Sequence, residues 1–195
     1  MNVKQFAELV SAVFHPLIMP VLGFVLLISF DASLSLAQRW LLLATAIFFS
    51  VLLLLLLFLW LQRRGAIDSL DIPERRQRLL PMIAGTVCYG LGFVALRWLE
   101  APPLVQGLMF CYATNTLLVA LITYWWKVSV HTTATAGPLT ALWFQFGAPV
   151  LPLLLLVPIV GAARVILQRH TVAQVVVGAL IGIGITALQL WFWFS

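Results

Sequence analysis

Two histidines, His131 and His170, lie close in sequence to basic and hydroxyl side chains and far from any carboxylate. The polar residues that accompany them are Lys127, Ser129, Arg164 and Arg169, together with Arg75, Arg76 and Arg78 earlier in the chain. Cationic groups stabilise the oxygens of a phosphoryl group during its transfer, and imidazoles act as nucleophile and proton donor near neutral pH. These residue types predict an anionic substrate and outline a phosphoesterase site.

The composition excludes a soluble protein. Of the 195 residues, 63% are hydrophobic and 9% are charged, and the mean hydropathy is +1.09. A soluble domain has about 45–50% apolar and about 25% charged residues. The same figures exclude a disordered chain and a coiled coil, and the 2 cysteines exclude a disulfide scaffold. We therefore expect an all-α, polytopic membrane helix bundle with six to seven spans, in which residues 1–195 form a single transmembrane domain.

Apolar runs predict seven spans, at residues 9–30, 40–61, 79–99, 104–126, 131–146, 150–167 and 171–194. Pro16 and Pro20 predict a kink or a late helix start in the first of them. The runs 131–146 and 150–167 are short, so six spans remain an alternative if one of them is re-entrant. Gly178, Gly182 and Gly184 favour close helix packing in the last span.

Span counting places the three polar clusters on one side of the membrane. The loop 63–78 follows the second span, residues 126–131 precede the fifth and residues 164–170 precede the seventh. That side carries every Lys and Arg except Arg39 and Arg97. Cytoplasmic loops are enriched in Lys and Arg, so this side is predicted to be cytoplasmic. His15 lies on the same side by this count, but we do not expect it to take part directly.

Two segments around the histidines form motifs. The first segment, from Ala163 to Gln174, contains Arg164 and His170 with five residues between them. The second segment, from Val128 to His131, contains Ser129 two residues before His131. The first segment resembles the third motif of the type 2 phosphatidic acid phosphatase family (Ser-Arg, five residues, His, three residues, Asp). The second resembles its Pro-Ser-Gly-His motif. Small bacterial members with Trp-Lys-x-Ser-x-His and His-Thr-x-x-Gln stretches are similar to 126–131 and 170–174, so the resemblance covers residues 126–182.

The resemblance implies a metal-independent phosphatase acting on a membrane lipid, either a lipid phosphate or a polyprenyl diphosphate. His170 would attack phosphorus to form a phosphohistidine, and His131 would protonate the leaving group and then activate water. The phosphoryl oxygens would be held by Arg164, Lys127 and the Ser129 hydroxyl, with Arg75, Arg76 and Arg78 in place of the family's first motif (Lys, six residues, Arg-Pro). We expect no metal, no cofactor and no nucleic acid partner. A multi-pass protein of the bacterial inner membrane, with its site on the cytoplasmic side, fits this assignment.

The chain departs from the family pattern at Gln174, which stands where the family has Asp, and it lacks the first motif. Gln174 follows His170 by four residues and is expected to orient the imidazole without adding a negative charge. These departures leave open a second function, a relative that binds or transports an anionic lipid without hydrolysing it. A third alternative is a haem protein with His131 and His170 as the two iron ligands.

Overall fold

The computed structural model describes residues 1–65 and 75–194, and of Arg75 and Arg76 it describes the backbone alone. Within these ranges the chain is helical and contains no β-strand, so the predicted all-α membrane bundle is confirmed. The helices are α1 (Val3–Val13), α2 (Met19–Ser29), α3 (Leu36–Arg63), α4 (Arg75–Trp98), α5 (Pro103–Trp125), α6 (Val130–Phe146), α7 (Ala148–Ile166) and α8 (Val172–Trp193). Helices α3 and α8 each contain one π-helical turn, and α7 begins as a 3₁₀ helix.

Most of the predicted spans are long apolar helices. In the described ranges, five helices are long and apolar enough to cross a membrane: α3, α4, α5, α7 and α8. Helix α6 has 17 residues, which corresponds to about 26 Å at 1.5 Å per residue. The bundle therefore contains one helix for each of the second to seventh predicted spans, and α6 is the shortest of these six helices.

The first predicted span is two helices rather than one. Helices α1 and α2 have 11 residues each, or about 16 Å, which is well short of a hydrocarbon core of about 30 Å. The predicted effect of the prolines is confirmed, because the chain turns at Pro16 and α2 starts with Pro20 in its first turn. The backbone amides of Ile18 and Met19 donate to the carbonyl oxygen of His15 across this turn, at 2.8 and 3.2 Å.

Helix α6 lies at the centre of the bundle, where it packs against α2, α5, α7 and α8. Its threonine hydroxyls bond to backbone carbonyls: that of Thr133 donates to Ser129 at 3.1 Å and to Gly178 at 3.0 Å, and that of Thr135 donates to His131 at 2.8 Å. Because neighbouring helices cover α6, its side chains need not be as apolar as those that face lipid. This explains the modest hydropathy of residues 131–146.

Two glycines of α8 fit against α6. A Cβ at Gly178 would lie 2.6 Å from the carbonyl oxygen of Ser129, and one at Gly182 would lie 2.8 Å from that of Thr133. Close packing is thus confirmed at these two glycines, whereas Gly184 has no neighbouring atom within 4 Å of such a Cβ. The contact holds the start of α6 beside the start of α8.

Candidate active site

Buried ionisable side chains collect at one end of the bundle. Arg78 of α4, His131 of α6, Arg164 of α7 and His170 before α8 are between 1% and 7% exposed. Buried ionisable groups in a membrane protein are energetically costly and commonly belong to a functional site. This end of the bundle, which is also where span counting placed the polar clusters, is the candidate active site.

The loop between α7 and α8 places His170 beside Arg164. The carbonyl oxygen of Arg164 accepts hydrogen bonds from the amides of Arg169, at 3.0 Å, and His170, at 3.3 Å. Gln168 adopts a positive φ of 54°, which turns the chain back towards the bundle. The backbone of this short loop therefore fixes the spacing between the guanidinium and the imidazole.

Gln174 sets the tautomer of His170. It forms a capping box with Thr171, in which its Oε1 accepts from the Thr171 amide at 3.2 Å. The same Oε1 lies 3.0 Å from Nδ1 of His170. Because that oxygen can only accept, Nδ1 carries the proton and Nε2 keeps a lone pair. Gln174 thus contacts the imidazole as the sequence predicted.

The surroundings of His170 keep its imidazole neutral. Burial, followed by the positive charges of Arg78, Lys127 and Arg164, lowers the pKa of His170 from 6.5 to about 3, and the hydrogen bond with Gln174 opposes this shift in part. A neutral imidazole with a lone pair on Nε2 is the form that attacks an electrophile. The three cations that lower the pKa also attract an anionic ligand towards the ring.

Arg164 is fixed by the N-terminal helix. Its Nη1 donates to Oγ of Ser11, on α1, at 2.6 Å, and the residue is 1% exposed. Helix α1 packs along α7, so the N-terminal segment forms one wall of the site. Guanidinium groups bind phosphate through several parallel N–H donors, which makes Arg164 a suitable ligand for phosphoryl oxygens.

Lys127 and Arg78 approach His170 from other elements. Nζ of Lys127 donates to the carbonyl oxygen of Arg169 at 2.9 Å, which ties the segment before α6 to the loop before α8. Arg78 is the fourth residue of α4 and is 7% exposed. The side chains of Arg75 and Arg76, which were predicted to bind phosphate, fall outside the described residues.

Ser129 is the N-cap of α6. Its Oγ accepts from the amide of Thr132 at 3.4 Å, its own amide donates to the carbonyl oxygen of Gln174 at 3.2 Å, and it is fully buried. Ser129, Lys127 and His170 line neither of the two cavities described below, whereas His131 lines both and Arg164 lines the polar one. The structure therefore gives Ser129 a capping role, and its contact with a phosphoryl oxygen stays a prediction.

Two cavities of opposite character have His131 in their walls. The polar cavity, about 420 Å³, is lined by Lys4, Glu8, Ser11, Arg164 and Arg169 among others. The apolar cavity, about 140 Å³, is lined by Leu54, Phe58, Met82, Leu108 and Val119 among others, with Arg78 also on its wall. His131 and His15 line both. A molecule with a charged head and an apolar chain fits this arrangement.

His15 was not predicted to belong to the site, yet its ring contacts that of His131. The ring centroids are 5.3 Å apart and the planes are nearly perpendicular, at 87°. A signal was present in the sequence, because the residues at 4, 8, 11 and 15 recur at the three- and four-residue spacing of one helix face. That spacing also marks Ser11 and Glu8, and Glu8 brings a carboxylate to a wall that was expected to lack one.

No cluster of three His, Cys, Asp or Glu side chains suited to a metal ion occurs within residues 1–65 and 75–194. At this end of the bundle the described groups available for chemistry are imidazoles, guanidinium groups, the ammonium groups of Lys4 and Lys127, hydroxyls and the Glu8 carboxylate. They can bind an anion, donate and accept a proton, and attack an electrophile.

Comparisons of this chain with protein-family models, with curated proteins and with solved structures found no match.

Proposed function

We propose that this protein is an integral-membrane phosphatase that hydrolyses a lipid phosphate or a polyprenyl diphosphate through a phosphohistidine at His170. The observation that carries the proposal is a buried, neutral imidazole with a defined tautomer beside three cations. The resemblance of residues 126–182 to the type 2 phosphatidic acid phosphatases supports the same chemistry.

In the first step, Nε2 of His170 forms a bond to phosphorus and the bond from phosphorus to the leaving oxygen breaks. The leaving oxygen takes a proton from His131, which enters this step as imidazolium and leaves it as neutral imidazole. In the second step, His131 accepts a proton from water, the water oxygen bonds to phosphorus, and the P–N bond breaks to release phosphate and restore His170. Arg164, Lys127 and Arg78 balance the charge on the phosphoryl oxygens in both steps.

Gln174 supports this mechanism in two ways. Its oxygen holds Nδ1–H, so Nε2 faces the reaction with its lone pair, and the same oxygen stabilises the positive ring that forms when phosphorus is attached. An amide supplies less stabilisation than the carboxylate of the family motif. The negative charge of the transferred phosphoryl group supplies the rest of the stabilisation of the positively charged ring.

The two cavities support an amphiphilic substrate. The charged head would bind at Arg164, which lines the polar cavity and whose carbonyl oxygen accepts from the His170 amide, and the chain attached to it would enter the apolar cavity past His131. The excess of basic residues at this end of the bundle favours a cytoplasmic active site. The bacterial inner membrane remains the compartment that we propose.

The test is phosphate release by the full-length protein, purified in detergent with a chelator present. A polyprenyl diphosphate and phosphatidate are offered side by side, with His170→Ala as the inactive variant and Thr45→Ala, on α3 and outside both cavities, as the control. Release by the wild type and the control, lost in His170→Ala, is the expected result. Absence of release from both lipids, with retained binding of them, would instead favour a lipid-binding protein that does not hydrolyse its ligand. A haem absorption band would favour the third alternative.

A further inference from the structure

Polar side chains line the apolar cavity inside the bundle, where aliphatic side chains alone would be enough to form the wall. Tyr89 of α4, Tyr112 and Asn115 of α5 and Thr186 of α8 all line this cavity. Each of them is at most 8% exposed. Polar groups in the membrane-spanning part of a protein are energetically costly and commonly mark the place where a ligand binds or passes.

These polar groups lie deeper in the bundle than His131. Nδ2 of Asn115 donates to Oγ1 of Thr186 at 2.8 Å, and a Cβ at Gly137 of α6 would lie 3.7 Å from the same Oγ1. Gly137 follows His131 by six residues, which corresponds to about 9 Å along α6. Tyr112 is nearly one turn of α5 further from the candidate active site than Asn115. A chain whose head binds near His131 would therefore reach both residues with its distal part.

Two of these side chains have a buried polar atom without a partner. In the part of the chain that the structure describes, neither Oη of Tyr112 nor Oδ1 of Asn115 forms a hydrogen bond. Such an atom is unfavourable in apolar surroundings, because it has lost its hydrogen bonds to water. A ligand that bonds to these atoms would remove the cost, and the adjoining cavity gives room for the side-chain rotation that such a bond requires.

We propose that the apolar cavity binds a chain that carries a hydroxyl group, and that this group forms hydrogen bonds with Asn115 and Tyr112. A hydroxyl group suits both atoms, because it can donate to an amide oxygen and accept from a phenol hydroxyl. An ester carbonyl cannot donate to Asn115, and a polyprenyl chain has no polar atom for either residue. This inference rests on the proposed function and narrows its substrate to an amphiphilic phosphate with a hydroxylated chain.

The experiment measures the dissociation constants of two isomeric hydroxydodecyl phosphonates, which are chain-bearing phosphate analogues that cannot be hydrolysed. One isomer has its hydroxyl group in the distal half of the chain, and the other has it next to the head. The protein is the full chain in detergent, and the same preparation is assayed for phosphate release from the lipid substrates. We expect the distal isomer to bind about 10-fold more tightly, the order expected for hydrogen bonds that pair buried neutral groups.

Two substitutions test the residues themselves. Tyr112→Phe removes a hydroxyl group that has no partner, so the variant should melt at the temperature of the wild type and lose part of the preference for the distal isomer. Asn115→Leu should abolish the preference, and thermal unfolding confirms that this variant is folded. Tyr124→Phe is the matched control and should keep the preference, because Tyr124 lies on the same helix, is 63% exposed and lines neither cavity.

A wild type that does not bind the distal isomer more tightly than the other isomer would overturn the inference, and failure to bind either isomer counts as this result. A preference that survives unchanged in both Tyr112→Phe and Asn115→Leu would overturn it as well. In each case, phosphate release by the same wild-type preparation would leave the proposed function standing. If the wild type neither binds a phosphonate nor releases phosphate, the proposed function fails and the inference fails with it.

Discussion

The substitution Gln174→Glu should raise the pKa of His170 by about three units without disturbing the fold. Glu is the usual residue at the third position of a capping box, so the hydrogen bonds with Thr171 are retained. The new carboxylate would lie beside Nδ1, where Oε1 of Gln174 is now 3.0 Å away. Its effect on the imidazole is therefore almost purely electrostatic.

The magnitude follows from Coulomb's law. Opposite unit charges about 4 Å apart interact by about 4 kcal/mol at an effective dielectric constant of about 20, and one pKa unit corresponds to about 1.36 kcal/mol. The pKa of His170 in the wild type is about 3, so the variant should titrate close to the range of an ordinary imidazole. Its turnover should then fall as the pH is lowered through that range, whereas protonation of His170 should not limit the wild type there.

Nuclear magnetic resonance of isotopically labelled histidine, recorded over a pH series in detergent, measures this directly. The chain has three histidines, and His170→Ala assigns the signal. Gln38→Glu is the matched control, because Gln38 occupies the same capping-box position in α3, away from the site. A wild-type His170 that titrates near 6.5, or a variant whose titration does not move, would refute the reasoning on burial and local charge.

Four further outcomes are expected. Gly178→Ala should destabilise the fold by about 1–3 kcal/mol and so lower the melting temperature in detergent, because its Cβ would meet the Ser129 carbonyl oxygen. Gly184→Ala should leave the melting temperature unchanged, and equal effects of the two substitutions would contradict the packing of α8 on α6. Ser11→Ala should reduce kcat/KM by roughly 3- to 10-fold through loss of the bond to Arg164, and an unchanged value would exclude α1 from the site. Because the pKa of His170 is lowered from 6.5 to about 3 in the folded protein, its contribution to stability is complete above pH 6.5 and is lost as the pH falls towards 3. The free energy of unfolding, measured between pH 8 and pH 5, should therefore fall more steeply with decreasing pH in the wild type than in His170→Ala, and equal slopes would contradict the lowered pKa. Turnover should be unchanged in a chelator, and its loss with recovery on addition of one divalent cation would contradict the phosphohistidine mechanism.

Hydropathy predicted the long helices because each must be apolar along the thickness of a bilayer. Hydropathy was less informative for α6, since a helix that is buried over most of its length by four neighbouring helices can carry threonines and Pro138. The hydropathy pattern also predicted a single span at residues 9–30, where the structure has parts of two helices, α1 and α2. Two prolines marked the break, but the apolar composition on both sides of Pro16 gave no indication that α1 would lie along α7.

Residue types and spacing predicted that His131, His170, Arg164 and Lys127 would lie at one end of the bundle, because the loops that carry them are short and span counting brings them to one side. Distances within the site depended on details that a motif does not encode. The hydroxyl of Ser129 caps α6, and the turn at Pro16 places the ring of His15 against that of His131. The tautomer of His170 followed from a capping box whose members, Thr171 and Gln174, could be seen in the sequence, although their contact with Nδ1 could not.

A phosphohistidine at His170 can be captured as a covalent intermediate. Wild-type protein is mixed with a lipid substrate labelled with radioactive phosphorus in the transferred phosphate, quenched in alkali within one turnover, and digested for mass spectrometry. The account predicts an acid-labile phosphoryl group on the peptide that contains His170, and none on that peptide from His170→Ala. Turnover with the label on a serine or a carboxylate, or with no protein-bound label at any time, would contradict it.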